Sequence, residues 1–126
     1  MTIDSRLGSD ARTLSRARSF IEDHAGDHIS AEDIAAAASV TVRSVQLAFR
    51  RYLDTTPGSY LRAVRLQHAH RELLEAIGLP GTTVGAVAAH WRFGSASRFA
   101  AYYRQAFGVL PSQTMGQRSL ASASAG

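Results

Sequence analysis

At 126 residues, 45% apolar and 19% charged, the chain has the size of one ordinary domain or two very small ones, with enough apolar mass for a core. It has no cysteine, which excludes a disulfide framework, and no apolar run near the roughly 20 residues that cross a bilayer. All 14 basic residues are Arg; the balance is −3 over residues 1–40 and +7 over residues 41–126, which points the later two-thirds toward an anionic partner.

Met1 to Arg6 include an acid and no apolar stretch, so no secretory leader is expected and the cytoplasm is the expected location. Asp10 is placed to cap a first helix running to about His24, with Leu14, Ala17, Phe20 and Ile21 on one side and Gly26 past its end. Ser30 and Asp33 have near capping-box spacing and open a short helix from Ala31 to Ala38. Thr41 is the cap for a third helix from Val42 to about Leu53, whose Val45, Ala48, Phe49 and Tyr52 share a face.

Pro57 suits the first turn of a long helix reaching about Ala76, because a missing N–H costs nothing there. Twenty or so helical residues span about 30 Å. Ile77 through Gly81 break the chain, and Thr82 or Thr83 caps a fifth helix from Val84 to His90. A sixth runs from about Ser95 to Phe107, and Gly108 and Pro111 close it. The Ser/Ala/Gly-rich end is expected to be a disordered tail.

Two stretches match at a fixed offset. Ile34, Ala35 and Val40 correspond to Val87, Ala88 and Phe93, 53 residues on. Val45, Phe49, Arg50, Leu53 and Pro57 correspond to Phe99, Tyr103, Arg104, Phe107 and Pro111, 54 residues on, so the second turn carries one added residue. Each unit is a short helix, a turn, a longer helix with an aromatic and aliphatic stripe, and a closing proline. That is a helix-turn-helix layout. Ala35 and Ala88 fall where two helices cross closely, and Ser39 and Arg92 fall where such turns use glycine for its positive φ.

On these residues the chain resembles the DNA-binding domain of the AraC/XylS family of bacterial transcription regulators. The resemblance is carried by Val40 through Arg51, Thr55 through Arg62 and Arg65 through Leu74. It continues in Phe93 through Phe99 and Phe107 through Ser112, so that it covers roughly residues 14–115. It implies an all-α fold of about seven helices, with two helix-turn-helix subdomains, residues 10–56 and 82–115, joined by a linker helix over 57–77 and followed by a tail over 116–126. It implies a sequence-specific regulator of double-stranded DNA, an activator by preference, with two recognition helices in successive major grooves. The 30 Å of linker helix is close to the ~34 Å per turn that separates equivalent grooves.

Base-reading positions implied by the resemblance are Arg43, Gln46 and Leu47, with Ser44 beside them, then Ala96, Ser97 and Ala101, with Ser95 and Arg98 beside them. Arg43 suits a guanine O6/N7 pair, Gln46 an adenine N6/N7 pair and Leu47 a thymine methyl. Arg50, Arg51, Arg92 and Arg104 are the expected phosphate contacts. The second set is poor in hydrogen-bonding groups, so readout is expected to be lopsided. Arg65 matches a family arginine expected to brace helix ends, and Trp91 is expected in the core.

Asp54 and Arg92 stand where the family usually has Gly, and Leu110 where it often has Ser or Thr. A left-handed Arg92 costs about 1 kcal/mol, so a locally altered second turn is expected. RNA polymerase is an expected partner. Two arrangements are open: a domain of a longer regulator with an effector-sensing, dimerising domain on its N-terminal side, or a regulator acting alone.

Other readings rank lower. His24, Asp27 and His28 have a metal-like spacing, but Gly26 breaks the helix between them and no further ligand is evident. No phosphate loop, nucleophile–base arrangement or catalytic carboxylate pair stands out, so neither an enzyme nor a cofactor is expected. A basic helical protein-interaction module, an adaptor or anti-regulator without DNA binding, is the alternative class.

Overall fold

The computed structural model describes the backbone of residues 2–116 and the side chains from residue 8 onward. All regular structure among them is helical: α1 (Thr2–His24), α2 (Ala31–Ala37), α3 (Val42–Leu53), α4 (Pro57–Glu75), α5 (Val84–His90) and α6 (Ala96–Phe107). A seventh helix, α7, covers residues 111–116. Of the tail expected over residues 116–126, residue 116 belongs to α7 and the rest lies outside the described residues. The chain divides within α4, between Val64 and Arg65, into two compact units.

The first unit is three helices around one core. α1 contributes Leu14, Ala17 and Ile21, α2 contributes Ile34 and Ala35, and α3 contributes Val45, Ala48 and Phe49, all buried. The ends are fixed locally. Ser30 accepts from the Asp33 N–H while the Asp33 carboxylate accepts from the Ser30 N–H, a complete capping box. Thr41 caps α3 by accepting from the Ser44 N–H.

Two expectations need correction here. Asp10 does not cap α1, which begins at Thr2; instead its carboxylate pairs with the Arg51 guanidinium of α3 at 3.0 Å. Gly8 alone weakens the preceding stretch, and one glycine costs a helix only about 1 kcal/mol. Tyr52 does not join the core. The last turn of α3 runs past it, leaving Tyr52 and Leu53 40% and 37% exposed.

The second unit repeats the arrangement. Leu66, Ala69 and Leu73 of α4 pack with Val87 and Ala88 of α5, Phe93 of the turn, and Phe99 and Tyr103 of α6. Burying each large apolar side chain stabilises by roughly 1.5–3 kcal/mol. Thr83 caps α5, Ser95 caps α6, and Gly108 ends α6 in the left-handed conformation. Pro111 does not simply close α6: it starts α7, as Pro57 starts α4 54 residues earlier.

The duplication reaches further back than the sequence comparison suggested. Leu14, Ala17 and Ile21 on α1 correspond to Leu66, Ala69 and Leu73 on α4 at an offset of 52, and all six are buried. Each unit therefore has a third helix closing its core, and α4 supplies the second one.

Candidate nucleic-acid interface

The two turns share one geometry. In the first, the Ser39 N–H donates to the Ala36 carbonyl at 3.1 Å and the Val40 N–H to the Ala35 carbonyl at 3.0 Å. In the second, Arg92 donates to Ala89 at 3.1 Å and Phe93 to Ala88 at 2.9 Å. Ser39 and Arg92 sit at φ 59° and 64°. The locally altered second turn is thus overturned: Arg92 takes the left-handed conformation, because five-residue closure onto Ala88 requires it. The added residue is Gly94, which falls after this closure and before the Ser95 cap.

α3 carries the residues expected to read DNA on its outer face. Arg43, Gln46, Leu47 and Arg50 line one shallow groove with Thr55, Thr56 and Pro57. Ser44, Leu47, Arg50 and Arg51 line a second with Asp10. Leu47 is 53% exposed, an apolar side chain held in water between arginines. Ser44 is half-buried, its hydroxyl accepting from Thr41 at 3.0 Å, so capping draws it partly away from the face. Arg50 pairs with Asp54 at 3.3 Å, and Arg51 with Asp10.

On α6, Ala96, Ser97, Arg98, Ala101 and Arg104 are exposed. Ser95 accepts from the Arg98 N–H at 3.0 Å, so its oxygen serves the helix end. The Arg98 guanidinium folds back over Gly94, whose missing Cβ would lie 3.5 Å from Nη1. Of the expected base-reading set, only Arg98 and Ser97 then bring hydrogen-bonding reach to the exposed face of this helix.

Arg92 is exposed beside half-buried Arg65. Burial, and then the Arg92 charge, hold the Arg65 guanidinium below its usual pKa. Trp91 caps α5 and packs against the core of its unit, as expected. His68 stacks on it at 4.7 Å and 10°, while Glu72 accepts from its Nε1 at 3.2 Å and meets the His90 Nδ1 at 2.8 Å. This brace holds the residue that precedes Arg92.

Sequence reasoning missed the partners of the arginines. Arg50 and Asp54 are four apart, a spacing that invites pairing; Asp10 and Arg51 are 41 apart and gave no local signal. It also missed Tyr60, which donates to Glu22 at 2.8 Å and accepts from Arg18 at 3.1 Å, locking α4 to α1 in the first unit. His24 pairs with Asp27 at 3.0 Å.

Two tandem helix-turn-helix units, each presenting an arginine-bearing helix, define a tandem helix-turn-helix domain. The profile of the family described as "Helix-turn-helix domain" matches residues 34–117. The chain is 36% identical over 96 residues to the probable thc operon regulatory protein of Rhodococcus erythropolis, covering 76% of this chain and 29% of that protein. It is 33% identical over 111 residues to XylDLEGF operon transcriptional activator 3 of Pseudomonas putida, covering 86% and 32%. The crystal structure of a probable AraC family transcriptional regulator from Rhodopseudomonas palustris CGA009 aligns with TM-score 0.77 and 32% identity, over 83% of this chain and 95% of that one. The chain belongs to the helix-turn-helix family, as an AraC/XylS-type domain. It spans about three-tenths of the length of these curated relatives. No described helix is long and apolar enough to cross a membrane.

Proposed function

We propose that this chain binds double-stranded DNA sequence-specifically as the DNA-binding domain of a transcription regulator. α3 and α6 enter successive major grooves. The observation that carries this reading is the repeated turn, each copy followed by a capped helix with outward arginines. In this reading Arg43, Gln46 and Leu47 read bases, with Ser44 at their edge. Arg98 and Ser97 are the main readers of the second half, where Ala96, Ala101 and Ser95 allow close approach. Arg50, Arg51, Arg92 and Arg104 hold phosphates. Activation is favoured by the name of the Pseudomonas putida relative, and RNA polymerase is the partner that this reading adds. The cytoplasm is where such a regulator works.

Selection of bound duplexes from a random pool, followed by footprinting, tests this directly. An enriched motif with two protected grooves on one face is the expected result. Engagement of four to six phosphates gives a slope of log K against log salt of about −4 to −5. No enrichment and a flat salt response would instead indicate a protein-interaction module. Arg43→Ala is expected to cost about 1–3 kcal/mol on the selected site and little on random duplex.

A further inference from the structure

The first recognition helix carries its phosphate-facing arginines already paired. Arg50 Nη1 lies 3.3 Å from Asp54 Oδ1, and Arg51 Nη1 lies 3.0 Å from Asp10 Oδ2. Asp10 also lines the groove formed by Ser44, Leu47, Arg50 and Arg51, so its carboxylate is part of the surface offered to a ligand. The side chains of Arg50 and Asp54 are 64% and 92% exposed, an open pair. Those of Arg51 and Asp10 are 49% and 25% exposed, so this second pair is partly buried and also ties α3 to α1. An open pair contributes little to folding, typically below 1 kcal/mol, and so Arg50–Asp54 is weakly explained as a structural device. The second unit provides the contrast. Arg104 corresponds to Arg50, and the position corresponding to Asp54 is Gly108, which has no carboxylate. Both end their helix in the left-handed conformation, Asp54 at φ 50° and Gly108 at φ 80°. The acid is therefore not demanded by the backbone there; glycine serves the same turn.

We infer that Asp10 and Asp54 are internal counter-ions that damp sequence-independent DNA affinity at the first recognition helix. This inference rests on the DNA-binding reading above. A carboxylate oxygen occupies the place that a phosphate oxygen takes in the complex. It holds each guanidinium near its working position and must be displaced when the duplex docks. Once displaced, the carboxylate stays close to the phosphate and repels it, which subtracts one charge from the interface. Binding to any duplex is weakened, because the phosphate term is common to all sequences. Base contacts by Arg43 and Gln46 then make up a larger share of what holds the protein on its site. Their neighbouring acids, not the number of arginines, set that balance.

The test measures binding of the whole chain to a random-sequence duplex across a salt series, by fluorescence anisotropy. Asp54→Asn keeps a residue tolerant of the left-handed conformation, and Asp10→Asn keeps the shape of the side chain. Each is expected to raise affinity about threefold to tenfold at roughly 50 mM salt, with the gain shrinking as salt rises. Each is also expected to steepen the slope of log K against log salt by about 0.9. In Arg50→Gln the Asp54→Asn gain should shrink to the part that comes from carboxylate–phosphate repulsion alone. The converse variant, Gly108→Asp, has open space for its side chain but is strained at φ 80°, so its fold is first checked by circular dichroism; it places a carboxylate four residues from Arg104 and should weaken random-duplex binding. Unchanged affinity and slope in both Asn variants, or a Gly108→Asp protein that binds as well as wild type, overturns the inference. A wild-type chain that binds no duplex at any salt overturns the functional reading instead, so the two failures are distinguishable.

Discussion

Arg92 repeats the backbone conformation of Ser39 at a distance of 53 residues, φ 64° against φ 59°. Both close the turn by donating to the carbonyl three residues back. In the second unit the strain is tolerated because the five-residue closure onto Ala88 seats Phe93 in the core. A non-glycine residue there costs on the order of 1 kcal/mol.

Arg92→Gly is accordingly expected to leave stability unchanged or raise it by up to about 1 kcal/mol, relief of strain being offset by the larger entropy of unfolded glycine. DNA affinity should fall in the same variant, since the guanidinium is gone. Urea denaturation alongside duplex titration checks both. A drop in stability with no change in binding would mean that the side chain serves packing.

Tyr103 places its hydroxyl 2.7 Å from the His70 Nδ1 and 2.7 Å from the Thr114 hydroxyl. The corresponding residue of the first unit is Phe49, which instead meets the Tyr60 ring edge at 5.3 Å. Tyr103→Phe fits the space but strands two polar groups, at an expected cost of about 1–3 kcal/mol. Denaturant melts followed by circular dichroism will read it. Phe49→Ala, which leaves a cavity, should cost more, about 3–5 kcal/mol.

The Asp33 carboxyl is held below its usual pKa by the Ser30 N–H and then by the Ser30 hydroxyl. A depressed folded pKa means that the unfolded chain binds more protons in acid. The contribution is thus fully present above the ordinary carboxylate value near 3.9, and is lost as pH falls through the folded value. Asp33→Asn should flatten that part of the acid limb when melting temperature is measured from about pH 2 to 6. Identical limbs in the two proteins would show that the cap does not titrate with folding.

Ser95 separates capping from recognition. Ser95→Asp keeps an acceptor for the Arg98 N–H and adds a negative charge at the helix start, where the dipole favours it. Stability should hold within about 0.5 kcal/mol while DNA binding falls, whereas Ser95→Ala should cost about 1 kcal/mol of stability. Equal DNA affinity for wild type and Ser95→Asp would place this helix start away from the duplex.

What was legible in the sequence is what neighbours decide among themselves. The Ser30–Asp33 box, the Thr41 cap, the stop at Gly108 and the left-handed site at Ser39 each involve residues within about five positions, so residue type and spacing suffice. Folding was needed wherever partners lie far apart along the chain. Nothing local marks Asp10 as the partner of Arg51 instead of a cap, or joins Tyr60 to Arg18 and Glu22. The reach of the duplication into α1 and α4 was partly legible, since Leu14 and Ala17 recur as Leu66 and Ala69, but at an offset of 52 in place of 53 or 54. Only the packed cores show that Ile21 and Leu73 fill the same place, because a core accepts any apolar side chain of suitable volume.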